Sequence, residues 1–416
     1  MKMQDVLTEK LKDINVSEKE LKILRELAND VVLKLNKKKV KAFVGGSLAK
    51  GTLIKKEEQD IDIFIVFENE EEVQGFEKIL KKIKFSGRLK KVHGSRDYFQ
   101  ILNSVAKIEL IPTVETKNPE DAQNVTDVSL SHVKYVSGMI NKNKGLAGEI
   151  KLAKAFCQAQ GFYGAESYIK GFSGYSLEIL VIHFGSFNNF LKAILKIGKG
   201  KKGVIDSKKY FKNAKEVLYE LNASKLKSPL VVIDPTYKYR NVNAGLGEET
   251  FEKFLDVVKQ FLKKPSKGFF EKKDIDVIEL KKFAVKHKAS LLEINLRSDR
   301  QEGDIVGTKC RKFLDFFINE LKRNGQDVTR KEFYYSGSGQ NAVGYLVVKE
   351  KKIVEVRGPP VKMKESVKGF KKEHKKTFVK KGMVWAKKKV SIKEVFEYAN
   401  RVKIEMGSWG EKLVEY

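Results

Sequence analysis

The stretch GGSLAKGTLIKKEEQDIDIF, at residues 45–64, constrains the fold more tightly than any other part of the chain. Its last part alternates acidic and apolar residues, and this period of two predicts a β-strand with two unlike faces. Ile61 and Ile63 then face a core, while Asp60 and Asp62 leave from the other face with Cα atoms about 6.8 Å apart. The chain must therefore build a sheet that is covered on one face and carries two carboxylates on the other.

Two carboxylates on one face of a strand can converge on two cations roughly 3.5–4 Å apart, an arrangement that stabilises the attacking and leaving oxygens in phosphoryl transfer. Acidic residues also occur on edge strands, where they prevent pairing with another sheet. The preceding turn favours the first interpretation. Gly45 and Gly46 permit a tight turn, and Ser47 then opens a short helix whose free N–H groups and hydroxyl can contact phosphates, with Lys50 one turn further as a cation.

A Gly-Ser turn followed by Asp-x-Asp on the next strand resembles the nucleotidyltransferase superfamily with polymerase β-like palms. The resemblance implies a third carboxylate on a neighbouring strand, and Glu109 in KIELIP is the candidate. In that superfamily this acid is usually Asp, and it helps to hold the metal near the attacking hydroxyl and to deprotonate that hydroxyl. A Glu side chain reaches about 1.5 Å further. The expected catalytic and metal-binding residues are Asp60, Asp62 and Glu109.

The pattern of helices and strands along the rest of the chain predicts a multidomain α+β protein. The first predicted long helix begins with a Ser17–Glu20 capping box. Helices are predicted at residues 16–35, 127–140, 148–160, 173–197, 248–262 and 309–325, and from Ser391 onward. Strands are predicted in VKAFVGG, DIDIFIVF, YFQILNSVAKIELIP, PLVVID, LLEINLRS, EFYYSGS and AVGYLVVKEKKIVEVRGPP. The last helix-and-strand module is of the kind that many RNA-binding domains use.

The charge of the chain predicts a polyanionic partner, because 83 Lys and Arg against 54 Asp and Glu give a net charge of +29. The excess is greatest in VKMKESVKGFKKEHKKTFVKKGMVWAKKKV, at residues 361–390, with 12 Lys against 2 Glu. Aromatic residues between the lysines favour a nucleic-acid surface, where rings stack on bases, over a merely solvated face. The lysines expected to bind RNA are Lys371, Lys372, Lys375, Lys376, Lys380 and Lys381.

Two cysteines, Cys157 and Cys310, can form neither a disulfide framework nor a Cys-rich zinc site, and they point to a reducing cytoplasm. No run of about 18 apolar residues is present, so no membrane partner is expected.

Longer motifs point to one family within this superfamily. The segments LAKAFCQAQGFYGAESYIKGFSGYSLEILVIHFGSF, VVIDPTYKYRNVNAGL and KKPSKGFF resemble those of archaeal-type, class I CCA-adding enzymes, tRNA nucleotidyltransferases that build or repair the 3′-terminal CCA without a template. The match follows nearly the whole chain in order. It implies a catalytic head at residues 1–140, a helical neck that recognises the nucleotide at 141–270, an α+β body at 271–360, and a basic tRNA-binding tail at 361–416.

The resemblance also implies residue roles. The triphosphate is expected at Gly46, Ser47, Lys50, His132, Lys154 and Tyr163, and the base at Arg240 and Asn241. Lys50 stands where the family often has Arg, which keeps the charge but loses bidentate geometry. An Arg fork can donate to the acceptors of cytosine and to the ring nitrogens of adenine.

Several of these residues also have ordinary structural explanations. A lone helical histidine such as His132 is commonly a core or surface residue. Tyr163 can simply pack, and packing is the role expected for Tyr175. Arg240 can form a surface salt bridge, and Asn241 can hold the turn after Pro235.

The implied reaction transfers CMP twice and AMP once, from CTP and ATP, to the 3′ end of tRNA, with two Mg²⁺ at the three carboxylates. The tRNA would be held at its acceptor stem and T arm by shape and phosphate contacts, and the family suggests a homodimer. Two alternatives stay open. A poly(A)- or oligoadenylate-type polymerase would add one nucleotide without limit, and a non-catalytic RNA-binding protein on this scaffold is suggested by Glu109.

Overall fold

The computed structural model describes residues 2–94, 96–116, 118–122 and 124–416. The chain forms two compact units. The first comprises Met1–Ala165 and Ile169–Lys272, and the second comprises Glu166–Tyr168 and Lys273–Tyr416. Both combine helices with β-sheets, so the predicted α+β class is confirmed.

In the residues that the structure describes, the first unit contains two sheets and the helices packed around them. Its helices are α1 (Met3–Ile14), α2 (Glu18–Asn36), α3 (Gly46–Lys50), α4 (Glu70–Leu80), α5 (Ser129–Lys142), α6 (Gly145–Ala159), α7 (Gly174–Phe184), α8 (Phe187–Ile197), α9 (Ala214–Glu220) and α10 (Glu248–Lys263). Its strands are β1 (Lys41–Val44), β2 (Gln59–Phe67), β3 (Arg88–Val92), β4 (Tyr98–Leu102), β5 (Ala106–Val114), β6 (Gly203–Ile205), β7 (Leu230–Asp234) and β8 (Tyr237–Asn241).

The sheet with the Asp-Ile-Asp pattern has the strand order β1-β2-β5-β4-β3. Because β2 lies between β1 and β5, the edge-strand explanation of its aspartates is wrong. Ile61 and Ile63 are fully buried in a core that also contains Val31 of α2 and Phe76 of α4. This confirms that one face of β2 is apolar and covered. The Ser17–Glu20 capping box at the start of α2 is also confirmed.

The region predicted to be helical departs from the prediction in two places. The single helix expected at residues 173–197 is two helices, since Gly185 takes φ +80° and ends α7. The Ser186 side chain then accepts from the backbone N–H of Asn189 at 3.2 Å and caps α8. The strand predicted in PLVVID is confirmed as β7, but it is not alone, because it belongs to a small sheet with the order β6-β7-β8 in which β6 and β8 were not predicted. Buried phenylalanines, including Phe156 and Phe254, fill the core between the helices.

The second unit also has two sheets. Its helices are α11 (Val277–Lys286), α12 (Asp304–Arg323), α13 (Lys364–Glu373) and α14 (Ile392–Lys403). Its strands are β9 (Ser290–Arg297), β10 (Asp327–Tyr334), β11 (Asn341–Lys349), β12 (Ile353–Pro360), β13 (Thr377–Lys380), β14 (Met383–Lys389) and β15 (Trp409–Glu415). One sheet has the order β10-β11-β9-β15 and the other the order β12-β14-β13.

The long segment AVGYLVVKEKKIVEVRGPP therefore supplies β11 and β12 to different sheets, with the charged residues 350–352 between them. The prediction did not include β15, which pairs antiparallel with β9. Phe313 and Phe317 of α12 are fully buried against the inner face of the sheet that contains β9. Among the helices of the described residues, none combines the length and the apolar character that crossing a membrane requires.

Candidate active site

The turn before α3 fits closely against β2. Gly46 has φ +57°, and a Cβ placed on it would lie 1.6 Å from Asp62 Oδ2. The Asp62 carboxylate thus occupies the space that a side chain at position 46 would need. Ser47 follows in the first turn of α3 and Lys50 ends this helix, so the predicted tight turn into a short helix is confirmed.

The three predicted carboxylates lie on the neighbouring parallel strands β2 and β5. Asp62 is directly opposite Glu109, and Asp60 is opposite Lys107. Burial raises the pKa of Asp62 to about 6, and the negative charges of Glu109 and Asp60 add to the rise. Within the described part of the chain, Asp62 has no ion pair with a basic side chain. Its carboxylate therefore lacks a directly bound cation, and a metal ion would neutralise its charge.

The other two acids already have basic or polar partners. Asp60 accepts from Lys56 Nζ at 3.0 Å and from Lys107 Nζ at 2.9 Å. Although burial works in the opposite direction, these lysines hold the pKa of Asp60 below its usual value. Glu109 accepts from Gln100 Nε2 at 2.9 Å, and Lys107 Nζ lies 3.5 Å away. Among the described residues, no three acidic, histidine or cysteine side chains form a ready-made metal site.

Two lysines predicted to bind the triphosphate meet at one buried carboxylate. Lys50 Nζ lies 2.7 Å from Glu178 Oε2, and Lys154 Nζ lies 2.7 Å from Glu178 Oε1. Thr52 Oγ1 accepts from Lys154 Nζ at 2.9 Å. Burial alone would raise the pKa of Glu178, but the two ammonium groups lower it to about 2. Glu178 is thus ionised and holds both cations in place, and both act electrostatically on Asp62.

Tyr163 lies in the same part of the unit. A Cβ on Gly174, the first residue of α7, would lie 2.7 Å from Tyr163 Oη and 3.9 Å from Lys154 Cε. The tyrosine hydroxyl and the lysine stem therefore lie on the side of Gly174 where a side chain would project, so the glycine leaves room for both.

His132 and Arg240 meet at a second buried carboxylate, Asp234. His132 Nε2 and Arg240 Nη1 lie 3.1 and 2.9 Å from Asp234 Oδ2. Burial lowers the pKa of His132 in spite of the aspartate, which favours the neutral form of the ring. Tyr175 stacks on His132 with ring centroids 3.9 Å apart, and its hydroxyl donates to Asp234 Oδ1 at 2.9 Å. The expectation that Tyr175 only packs is incomplete, because it also holds this network.

Asn241 is buried, and its amide is committed to the loop that precedes β7 and to the backbone around it. Its Nδ2 donates to the Lys225 carbonyl at 2.7 Å and to Ser228 Oγ at 3.0 Å. Its Oδ1 accepts from the backbone N–H groups of Val232 and Asn243, each at 2.9 Å. All of its hydrogen-bonding capacity is used, which matches the turn-holding alternative rather than a contact with the base.

The lysines predicted to bind RNA lie in the second unit and are all exposed. Lys371 and Lys372 are in the last turn of α13. Lys380 and Lys381 are at the hairpin between β13 and β14, where Lys380 Nζ lies 5.4 Å from the Trp385 ring centroid. The segment predicted only as basic and aromatic thus folds into a helix and a hairpin, with Lys375 and Lys376 in the connection between them, and all six lysines are exposed to solvent.

Several residues of the site were not predicted from the sequence, namely Thr52, Lys107, Glu178 and Asp234. Two of them carry a signal that could have been used. Glu178 is a lone acid in the apolar helix SLEILVI, and Asp234 ends a fully buried strand. An acid at a fully buried position needs a partner, and in a basic chain that partner is a cation.

Comparison with known families gives two matches. The nucleotidyltransferase domain family matches residues 24–99, and the family of the tRNA nucleotidyltransferase second domain matches residues 148–271. The CCA-adding enzyme of Nanoarchaeum equitans is 34% identical over 348 residues, which cover 81% of this chain and 81% of that protein. The CCA-adding enzyme of Methanocaldococcus jannaschii is 27% identical over 405 residues, which cover 91% and 86%.

Solved structures share the fold. A cytoplasmic RNA terminal U-transferase superposes with a TM-score of 0.52 at 13% identity, covering 66% of this chain and 99% of that chain. The Cid1 poly(U) polymerase superposes with a TM-score of 0.51 at 12% identity, covering 66% and 100%. At this identity the likeness concerns the fold alone.

Proposed function

The chain belongs to the family of CCA-adding enzymes, and on that premise we propose that it adds two CMP and one AMP, from CTP and ATP, to the 3′ end of tRNA without a template. The observation that carries the proposal is the position of Asp62. Its carboxylate lies in the turn at Gly46 and opposite Glu109. A triphosphate bound at α3 would therefore have acidic groups directly beside it.

Divalent cations fit this site, because the charge of Asp62 lacks a basic partner among the described residues. Asp60, Asp62 and Glu109 would hold two Mg²⁺, and cation binding at Asp60 would compete with its ion pairs to Lys56 and Lys107. When bound, such ions neutralise charge on the phosphates and lower the pKa of the attacking hydroxyl. Glu109, held by Gln100, would accept the proton of the terminal ribose hydroxyl.

The protein groups contribute charge and position, and no covalent intermediate is needed. The triphosphate would be held by Gly46, Ser47, Lys50, His132, Lys154 and Tyr163. Glu178 keeps the two ammonium groups ordered before the nucleotide arrives. Less side-chain freedom is then lost on binding. Arg240, whose side chain is 24% exposed, would contact the base.

The tRNA would be bound through its acceptor stem and T arm, with the lysines of α13 and of the β13–β14 hairpin at phosphates. In this proposal the catalytic head comprises residues 1–140, the neck 141–270, the body 271–360 and the tail 361–416. The protein is also proposed to form a homodimer. The proposal also places the enzyme in the cytoplasm, since Cys157 and Cys310 are free and buried.

The test is extension of tRNA that lacks CCA, with CTP, ATP or both, and with product length read at nucleotide resolution. The proposal expects two residues with CTP alone, three with both, and then arrest. A long homopolymer would assign the site to a poly(A)-type polymerase instead. Binding of tRNA without extension would show a scaffold that is not catalytic.

A further inference from the structure

The carboxylate of Asp234 serves two different groups of donors. It is fully buried, at 0% exposure, where an ionised carboxylate requires hydrogen bonds or charge partners. Oδ1 accepts from Tyr175 Oη at 2.9 Å and from the backbone N and the Oγ1 of Thr236 at 2.8 and 2.7 Å. Oδ2 contacts Arg240 and His132. One oxygen therefore holds the β7–β8 turn and Tyr175, and the other holds two residues of the proposed nucleotide site.

The Oδ2 side makes the positions of His132 and Arg240 depend on each other. Arg240 Nη1 lies 2.7 Å from His132 Nε2, and because arginine only donates, this contact requires Nε2 to accept. The contact of Nε2 with Asp234 requires Nε2 to donate. One ring nitrogen cannot do both at once, so only one of these two contacts is a hydrogen bond of His132 in a given tautomer. A shift of the guanidinium would therefore change the hydrogen bonding of the His132 ring.

We infer that Asp234 is a positioning residue for nucleotide selection. It fixes the orientation of the Arg240 guanidinium, which would contact the base, relative to the His132 ring, which would lie beside the triphosphate. The inference rests on the proposed function. Discrimination between bases by an arginine fork depends on its orientation, because misplaced N–H groups pair with the wrong acceptors as readily as with the right ones. Asp234 supplies the fixed anion that orients Arg240, and Tyr175 and Thr236 fix the anion in turn.

The competing explanation is that Asp234 has a purely structural role and only holds the turn. The variant Asp234→Asn distinguishes this structural role from the proposed positioning of Arg240. The amide oxygen can keep the Thr236 backbone N–H and the turn, whereas the amide nitrogen in place of Oδ2 cannot accept from Arg240. Thr236→Val is the matched control, since it removes a hydrogen bond on the Oδ1 side and leaves Oδ2 unchanged.

The readout is the ratio of kcat/KM for CTP over UTP in the first addition to tRNA that lacks CCA. We expect D234N to lower this ratio roughly tenfold or more, the scale of a lost bidentate contact, and T236V to leave it within about twofold. In an Arg240→Ala background, D234N should change the ratio by less than about twofold, because Asp234 acts through Arg240.

A ratio that D234N leaves at the wild-type value, or an effect that adds fully to that of R240A, would overturn the inference. If D234N does not fold, the double variant Tyr175→Phe with Thr236→Val loosens Asp234 without removing its charge, because only the Thr236 backbone N–H then remains on Oδ1. A lowered CTP preference in this double variant supports the inference, and an unchanged one contradicts it. Wild-type protein that adds no CMP at all would instead refute the proposed function.

Discussion

Replacing Gly46 with alanine would push the Asp62 carboxylate out of its place. The new Cβ would lie 1.6 Å from Asp62 Oδ2, and ordinary van der Waals contact begins at 3.4 Å. One of the two residues must therefore shift by roughly 1.8 Å, the difference between these distances. A displacement of about 1 Å in a reacting constellation can cost 100-fold in rate, so we expect G46A to lower the rate of CMP addition at least 100-fold.

The backbone contributes separately, because φ +57° at Gly46 is costly for alanine, by about 1–2 kcal/mol. Gly51, at the other end of α3, provides the matched control. It has φ +68°, but among the described residues no atom lies within 4 Å of the place that an added Cβ would take. Gly51→Ala therefore adds the same backbone strain without the contact. Thermal unfolding should show the cost of the backbone strain alone in G51A, and a loss of stability at least as large in G46A.

The assay is single-turnover addition of the first CMP to tRNA that lacks CCA, at saturating CTP. G51A should stay within about threefold of wild type while G46A loses at least 100-fold. Equal rates for the two variants would refute the reasoning, because the contact with Asp62 would then not matter.

Three further outcomes follow from the structure. Glu178→Gln leaves two buried ammonium groups without their counter-charge, so thermal unfolding should show a loss of about 3 kcal/mol in stability. Steady-state kinetics should show a raised KM for both CTP and ATP, and unchanged KM values would exclude a role of Glu178 in ordering the lysines. Glu109→Asp withdraws the carboxylate by about 1.5 Å from a position fixed by Gln100 and should slow CMP addition tenfold or more, whereas a faster enzyme would show that the strand is placed for Asp. Alanine at positions 371, 372, 375 and 376 should weaken tRNA binding and flatten its salt dependence, and an unchanged salt slope in filter binding would remove the α13 region from the RNA surface.

The local parts of the fold could be predicted from the sequence, because short-range patterns determine them. The alternation around Asp60 and Asp62 predicted both the strand and its buried face, and the Ser17–Glu20 pair predicted the start of α2. The same reasoning failed at Gly185, where one apolar stretch becomes two helices. A helical period continues through such a break, so periodicity alone does not detect it.

The partners within the site could not be predicted, because they are distant in sequence. Lys50 and Glu178 are 128 residues apart, and His132 and Asp234 are 102 residues apart. Lys50 and Lys154 were expected to bind the triphosphate, and nothing in the sequence indicated that one acid pairs with both, as the structure shows. The sequence indicated which residues carry the charge, while only the fold shows how that charge is balanced.

The most direct test of the central claim compares wild type with Asp62→Asn in the extension of tRNA that lacks CCA, with CTP, ATP and Mg²⁺ present and tRNA binding measured in parallel. Asp30→Asn, a change at a partly exposed acid on α2 that pairs with Lys34, is the control. We predict three added residues for wild type and for D30N, and none for D62N, with equal tRNA affinity for all three proteins. Extension by D62N at the wild-type rate would contradict the claim that the carboxylate beside Gly46 carries the chemistry.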